Sequence, residues 1–92
     1  NLKKLNAKIR VISRLLENGT HPTLSFTVFV PDEKKAGGTY TEIKGCVKRI
    51  DPTSDALILF AENEKSDGLK LKLDAIHDIY GEAVDYLDDE IL

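Results

Sequence analysis

Glu42-Ile43-Lys44-Gly45-Cys46-Val47-Lys48-Arg49-Ile50-Asp51-Pro52-Thr53-Ser54-Asp55-Ala56-Leu57-Ile58-Leu59-Phe60 is the stretch that decides the fold. It reads as two strands joined by a tight turn. Pro52 presets φ in that turn, while Asp51 and Ser54 can bond nearby backbone amides. Ile43, Val47 and Ile50 are the expected inward residues of the first strand. The step from 43 to 47 keeps alternation and the step from 47 to 50 breaks it, which predicts a bulge or sharp bend near Lys48-Arg49. Gly45 offers a second place to bend. The second strand, 55–62, is apolar almost throughout and therefore central. Together these features predict the core hairpin of a small, strongly bent β-barrel.

Working outward, Leu24, Phe26, Val28 and Val30 alternate through 23–30, so a β-branched and aromatic strand precedes the hairpin. A polar loop with paired glycines, 31–38, joins that strand to the long one over 39–50. Beyond the hairpin, 63–68 is a polar turn and 69–73 alternates leucine with lysine. Asp74-Ala75 begins a short helical turn or the last strand, with Ile76 and Ile79 as apolar anchors. Before the first strand, Leu2, Leu5, Ile9, Ile12 and Leu16 form one helical stripe, widened by Val11 and Leu15, and the basic residues are expected on the other faces. Asn18-Gly19 caps that helix and Pro22 prevents its continuation. Ala83, Val84, Leu87, Ile91 and Leu92 fall at near-helical spacing, predicting an acidic C-terminal helix. The expected organisation is one mainly β domain, 1–92: helix over 1–18, barrel over 23–80, acidic tail over 82–92.

Size and charge narrow the function classes. With 92 residues there is room for one modest core. The longest apolar run, 56–61, is far short of a membrane span, and no apolar signal region follows the basic start at Asn1. One cysteine, Cys46, excludes an internal disulfide and suits a reducing, cytoplasmic setting. Lys3, Lys4, Lys8, Arg10 and Arg14 stand in 1–16 without an acid. Asp74, Asp78, Glu82, Asp85, Asp88, Asp89 and Glu90 stand in 74–92 without Lys or Arg. The two ends should attract one another, and a net charge of -3 makes a poor general nucleic-acid binder.

No constellation specifies catalysis. His77 could act as a base polarised by Asp78 or Asp74, but a solvent-facing edge residue is the favoured reading. Asp51 and Asp55 could flank a divalent cation, though capping of the turn is favoured. His21 reads as a linker residue before Pro22, and Gly37-Gly38 with Lys34-Lys35 as a hairpin tip rather than a phosphate loop. Neither a cofactor nor a metal is expected. The basic helix could meet phosphates or an acidic protein surface, and the acidic tail favours protein by competing for that face. Tyr40, Phe60 and Tyr80 are candidate stacking residues, with Phe60 expected to be packed.

A helix leading into five strands has the order of an Sm-like or SH3-like barrel. Gly45, Asp51 and Asp55 hold positions resembling the first Sm motif, with Asp55 where that motif has Asn. Ile79-Tyr80-Gly81 keeps the glycine of the second motif and lacks its arginine. In RNA-binding Sm proteins that Asn reads a base and that Arg helps hold it. The helix, the aromatic strand, Gly45-x-Val47-x-x-Ile50-Asp51-Pro52 and Leu71-x-Leu73-Asp74-Ala75-Ile76-x-Asp78-Ile79 resemble the YolD-like family over roughly residues 5–80. These are small proteins of Gram-positive bacteria and their phages. The family's association with Y-family translesion DNA polymerases implies an accessory role in DNA-damage tolerance.

The sequence therefore predicts a non-enzymatic protein-interaction module with an Sm-like or SH3-like barrel. The candidate contact residues are Lys4, Lys8, Arg14, Lys48, Arg49, Tyr40 and Tyr80, and the Sm-like positions are Gly45, Asp51, Asp55 and Gly81. The alternative is a single-stranded nucleic-acid binder using Lys44, Lys48, Arg49 and the tyrosines. A membrane is not an expected partner, and self-association through an open strand edge is a further expectation.

Overall fold

The helix α1 spans Leu2–Glu17 and ends where a left-handed residue is available. Gly19, at φ 81, lets Thr20 N–H reach Leu15 C=O at 2.8 Å and Gly19 N–H reach Leu16 C=O at 3.0 Å. This crossed pair satisfies carbonyls that the helix end would otherwise orphan. Five strands follow: β1 (Thr23–Pro31), β2 (Gly38–Asp51), β3 (Ala56–Leu59), β4 (Leu69–Lys72) and β5 (Ile76–Tyr80). The computed structural model describes residues 2–34, 36–60 and 68–89. Outside them lie Lys35, Ala61 and Glu62 of the expected third strand, the expected turn over 63–68 apart from Gly68, and Glu90, Ile91 and Leu92 of the expected terminal helix.

The strands form one open antiparallel sheet in the order β4-β3-β2-β1-β5. The expected closed barrel is not seen, since among the described residues no ladder joins β4 to β5. Strand β2 is long enough to serve both halves, pairing with β1 through Gly38–Cys46 and with β3 through Val47–Asp51. Its register shifts between Val47 and Arg49, leaving Lys48 as the extra residue of the expected bulge. At Gly45 a Cβ would stand 2.9 Å from Leu59 Cδ1 on β3, so any larger residue at the bend requires that side chain to shift.

Inward residues follow from alternation. Leu24, Phe26 and Val28 of β1 are buried, together with Val47 of β2, all of β3, Leu71 of β4, and Ile76 and Ile79 of β5. Leu5 and Ile12 bring α1 onto this core, with Ile9, Val11 and Leu16 packed at its margin. Truncating a fully buried ring such as Phe26 to Ala would cost about 3–5 kcal/mol. Val30, expected to share the inward face, lies beyond the core and is exposed.

Between β4 and β5 the chain makes a 3-10 turn, Leu73–Ala75. After β5 it makes a second one, Asp85–Asp89, where an α-helix was expected. Val84 and Leu87 are both buried, and residues three apart eclipse in a 3-10 helix, so the tighter winding points both at the core. The acidic segment is thus a packed part of the domain through Leu87.

Candidate interaction surfaces

Lys8 is the one buried charged residue among those described. Three residues after Leu5 and four before Ile12, it sits in the buried stripe of α1 rather than on the expected basic face. Its ammonium donates to Asp78 Oδ1 at 3.0 Å and to the Ile79 carbonyl at 2.6 Å. It also lies 3.0 and 3.2 Å from the two carboxylate oxygens of Asp88, and 5.2 Å from the centroid of the Tyr80 ring. Every proton of the ammonium has an acceptor, which is the condition for burying such a group. Burial pulls its pKa down, but the hydrogen bonds and charges of Asp88 and Asp78 outweigh that and raise it above the ordinary lysine value.

The same cluster sets the state of its neighbours. Partial burial pushes the Asp78 carboxyl up. Hydrogen bonds from the Ile79 amide at 2.8 Å, from Lys8 and from the Tyr80 hydroxyl prevail, leaving it below the usual carboxylate value. Tyr80 is raised because its hydroxyl donates to that carboxylate. Lys4 adds a looser pair with Asp88 at 3.7 Å. The attraction expected between the basic and acidic segments is therefore made within one chain, around Lys8.

Of the expected contact residues, Lys8 is removed from the surface and Lys4 is engaged by Asp88. Arg14, Lys48 and Arg49 are exposed. Tyr40 is 57% exposed but its ring is not isolated. It lies 5.4 Å from Phe29, its cross-strand partner, and 4.9 Å from His77. His77 is the extra residue of a bulge in β5, between Ile76 opposite Val28 and Asp78 opposite Thr27. Asp78, one of the two acids read as partners for His77, gives its carboxylate to Lys8, Tyr80 and Ile79. Tyr80 borders an open cleft of about 410 Å³ that also touches Ser25, Lys44 and Asp85.

The Sm-like positions have structural roles. Asp51 accepts from Thr53 N–H at 3.1 Å and from the Ser54 hydroxyl at 2.7 Å, closing the turn. The Ser54 bond outweighs the opposing desolvation and, with the Thr53 bond and the charges of Arg49 and Lys70, holds its carboxyl below the usual value. Asp55 takes a left-handed conformation at φ 50 to enter β3. Gly81, at φ 153, lies where a Cβ would collide with Leu24 Cδ2, and its N–H donates to Asp85 Oδ1 at 2.8 Å.

Two residues read as bland prove to be clasps. His21 Nδ1 meets the Val47 carbonyl at 3.0 Å, and its ring packs edge-on against Phe60 at 5.3 Å. Cys46 donates its thiol to the His21 carbonyl at 3.2 Å. Together they tie the linker after α1 to the bend of β2. Phe60, expected to be packed, is 45% exposed and covered by that histidine on one side. Among the described residues, no group of three or more His, Cys, Asp or Glu is placed to hold a metal. No described helix is long and apolar enough to cross a membrane. Neither a protein-family model, nor a curated protein, nor a solved structure matches this chain.

Proposed function

We propose that this chain is a non-enzymatic protein-interaction module. The observation that carries the reading is the engagement of two cations of α1: Asp78 and Asp88 already occupy Lys8, and Asp88 reaches Lys4. A helix so compensated has lost the cations nearest its packed face as phosphate ligands. On the outer face of the β1-β2-β5 half, the exposed Tyr40 and His77 pack with the half-buried Phe29, an aromatic group that suits a protein. The strand order, and the 3-10 turn between β4 and β5, support reading the sheet as an incompletely closed Sm-like or SH3-like barrel. The resemblance to YolD-like proteins makes a Y-family DNA polymerase the first partner to test, with a role in DNA-damage tolerance.

The second reading, a single-stranded nucleic-acid binder, is favoured by one feature: Lys44 and Tyr80 share the cleft beside Ser25. Fluorescence anisotropy with single-stranded DNA and RNA, at low and physiological salt, separates the two. The interaction-module reading expects no saturable binding at either salt, and calorimetric binding to a purified Y-family polymerase. Salt-sensitive oligonucleotide binding, with a shallower salt slope in a Lys48→Ala, Arg49→Ala variant, would replace it with the second.

A further inference from the structure

The two rims of the open sheet differ in how their backbone groups are used. Leu73 N–H donates to Asp55 C=O at 2.9 Å, continuing the ladder that sets Leu57 opposite Leu71 and Leu59 opposite Leu69. Residues of that parity bond to β3. Lys70 and Lys72, of the other parity, therefore turn their N–H and C=O groups outward. Among the described residues no strand pairs with that rim. On β5 both backbone groups of Ile79, which face away from β1, are taken: the N–H by Asp78 and the C=O by Lys8.

Side chains on the free rim specify what could join it. Lys70 and Lys72 stand on the outer face and are exposed, in rows shared with Arg49 and Asp51 of β2. Asp51, the acid in those rows, is held by Thr53 and Ser54. On the inner face Leu71 is buried but Leu69 is 46% exposed, so one apolar position is left uncovered at the rim. A second copy is a poor occupant. Two β4 strands side by side would bring lysine against lysine, and the β5 rim is already closed by Lys8 and Asp78.

We propose that the outer rim of β4 is a strand-addition site for an extended segment of a partner protein that alternates acidic with apolar residues. Its acids stand beside Lys70 and Lys72, and its apolar residues continue the inner face over Leu69 and Leu71. Backbone hydrogen bonds supply the attachment and the alternation supplies the selectivity. The proposal rests on the protein-interaction reading and names the chemistry of the partner.

The test is anisotropy of a fluorescein-labelled peptide, acetyl-Thr-Val-Glu-Val-Glu-Val-Thr-amide, against the whole chain. Saturable binding is expected, weakened about tenfold or more by the Lys70→Glu, Lys72→Glu double change. Both side chains are exposed, so the variant's circular dichroism and urea midpoint should match the parent's. N-methylation of the two glutamates, whose amides face the rim, should abolish binding. N-methylation of the central valine, whose amide faces away, should leave most of it. Absence of saturable binding, or equal effects of the two methylation patterns, overturns the proposal. So does a dimer mass at high protein concentration that the double variant loses, because a second copy would then be the occupant. If a purified polymerase binds parent and double variant alike, the rim proposal fails and the module reading stands. Oligonucleotide binding lost in the double variant would defeat both.

Discussion

The rims of this sheet, β5 and β4, face the same physical hazard with opposite solutions. An unpaired strand edge is a template for any other strand. On β5 a lysine from a different element crosses the rim and takes its carbonyl, while a carboxylate one residue earlier takes the adjacent amide. On β4 only the charge of Lys70 and Lys72 stands guard, and charge selects among partners instead of excluding all of them. The difference teaches that a buried ion pair can act on strand pairing as well as on stability. Lys8 covers the Ile79 carbonyl on one rim, while the β4 rim has no partner strand among the described residues.

The largest effect expected is at Lys8 itself. Lys8→Met keeps the packing volume but takes the ammonium away from Asp78, Asp88 and the Ile79 carbonyl, which should cost about 2–3 kcal/mol because both acids retain some solvent and other partners. Urea denaturation followed by circular dichroism measures it, and a variant as stable as the parent would show that the cluster is dispensable. The same variant should self-associate at concentrations where the parent stays monomeric, as sedimentation would reveal, since the β5 rim is reopened.

Next comes the bend that sets the two rims on separate halves of the sheet. Gly45→Ala drives a methyl into the end of the Leu59 side chain, which can yield partly, so a loss of about 1 kcal/mol is expected. No loss would mean that β2 bends without help from this position.

The pH dependence sharpens the account of the closed rim. Asp78 titrates lower folded than unfolded, so its contribution is complete above the unfolded carboxylate value and lost as pH falls through the folded one. Lys8 is raised, so its contribution is complete below the ordinary lysine value and lost as pH rises through its folded value. The urea midpoint should therefore fall on acidification below about pH 4, and Asp78→Asn should flatten that fall. An identical acid profile in Asp78→Asn would assign the effect to other carboxylates. The smallest effect belongs to the open rim: Lys70→Glu with Lys72→Glu should alter stability by less than about 0.5 kcal/mol, because neither side chain supports the fold.

Much of the fold could be read from local pattern. The break in alternation between Val47 and Ile50 announced the bulge and Asn18-Gly19 the end of α1, and of the two readings open for Asp74-Ala75 the helical turn is the one formed. These features are decided by neighbours in sequence. Lys8 was legible only by its place in the Leu5-Ile12 stripe, where a charge argues against burial unless partners are known, and those partners are far away in the chain. The 3-10 winding of Asp85–Asp89 is likewise set by the core that Val84 and Leu87 must reach. Asp51 was readable as the cap of its turn, whereas the strand entry made by Asp55 and the close approach at Gly81 depend on backbone conformation and packing.

The sequence separations within the Lys8 cluster carry a consequence for the order of assembly. Lys8 meets Asp78, Ile79 and Asp88 across 70, 71 and 80 positions. Contacts so distant close late, after the loops between them have been paid for in entropy. On a ribosome, α1 emerges long before any of its acceptors exist, and its buried stripe carries an unpaired ammonium that cannot yet dock. The helix is made before its acceptors and seated after them, and until Lys8 docks, the Ile79 carbonyl on the rim of β5 stands open to whatever strand is nearby.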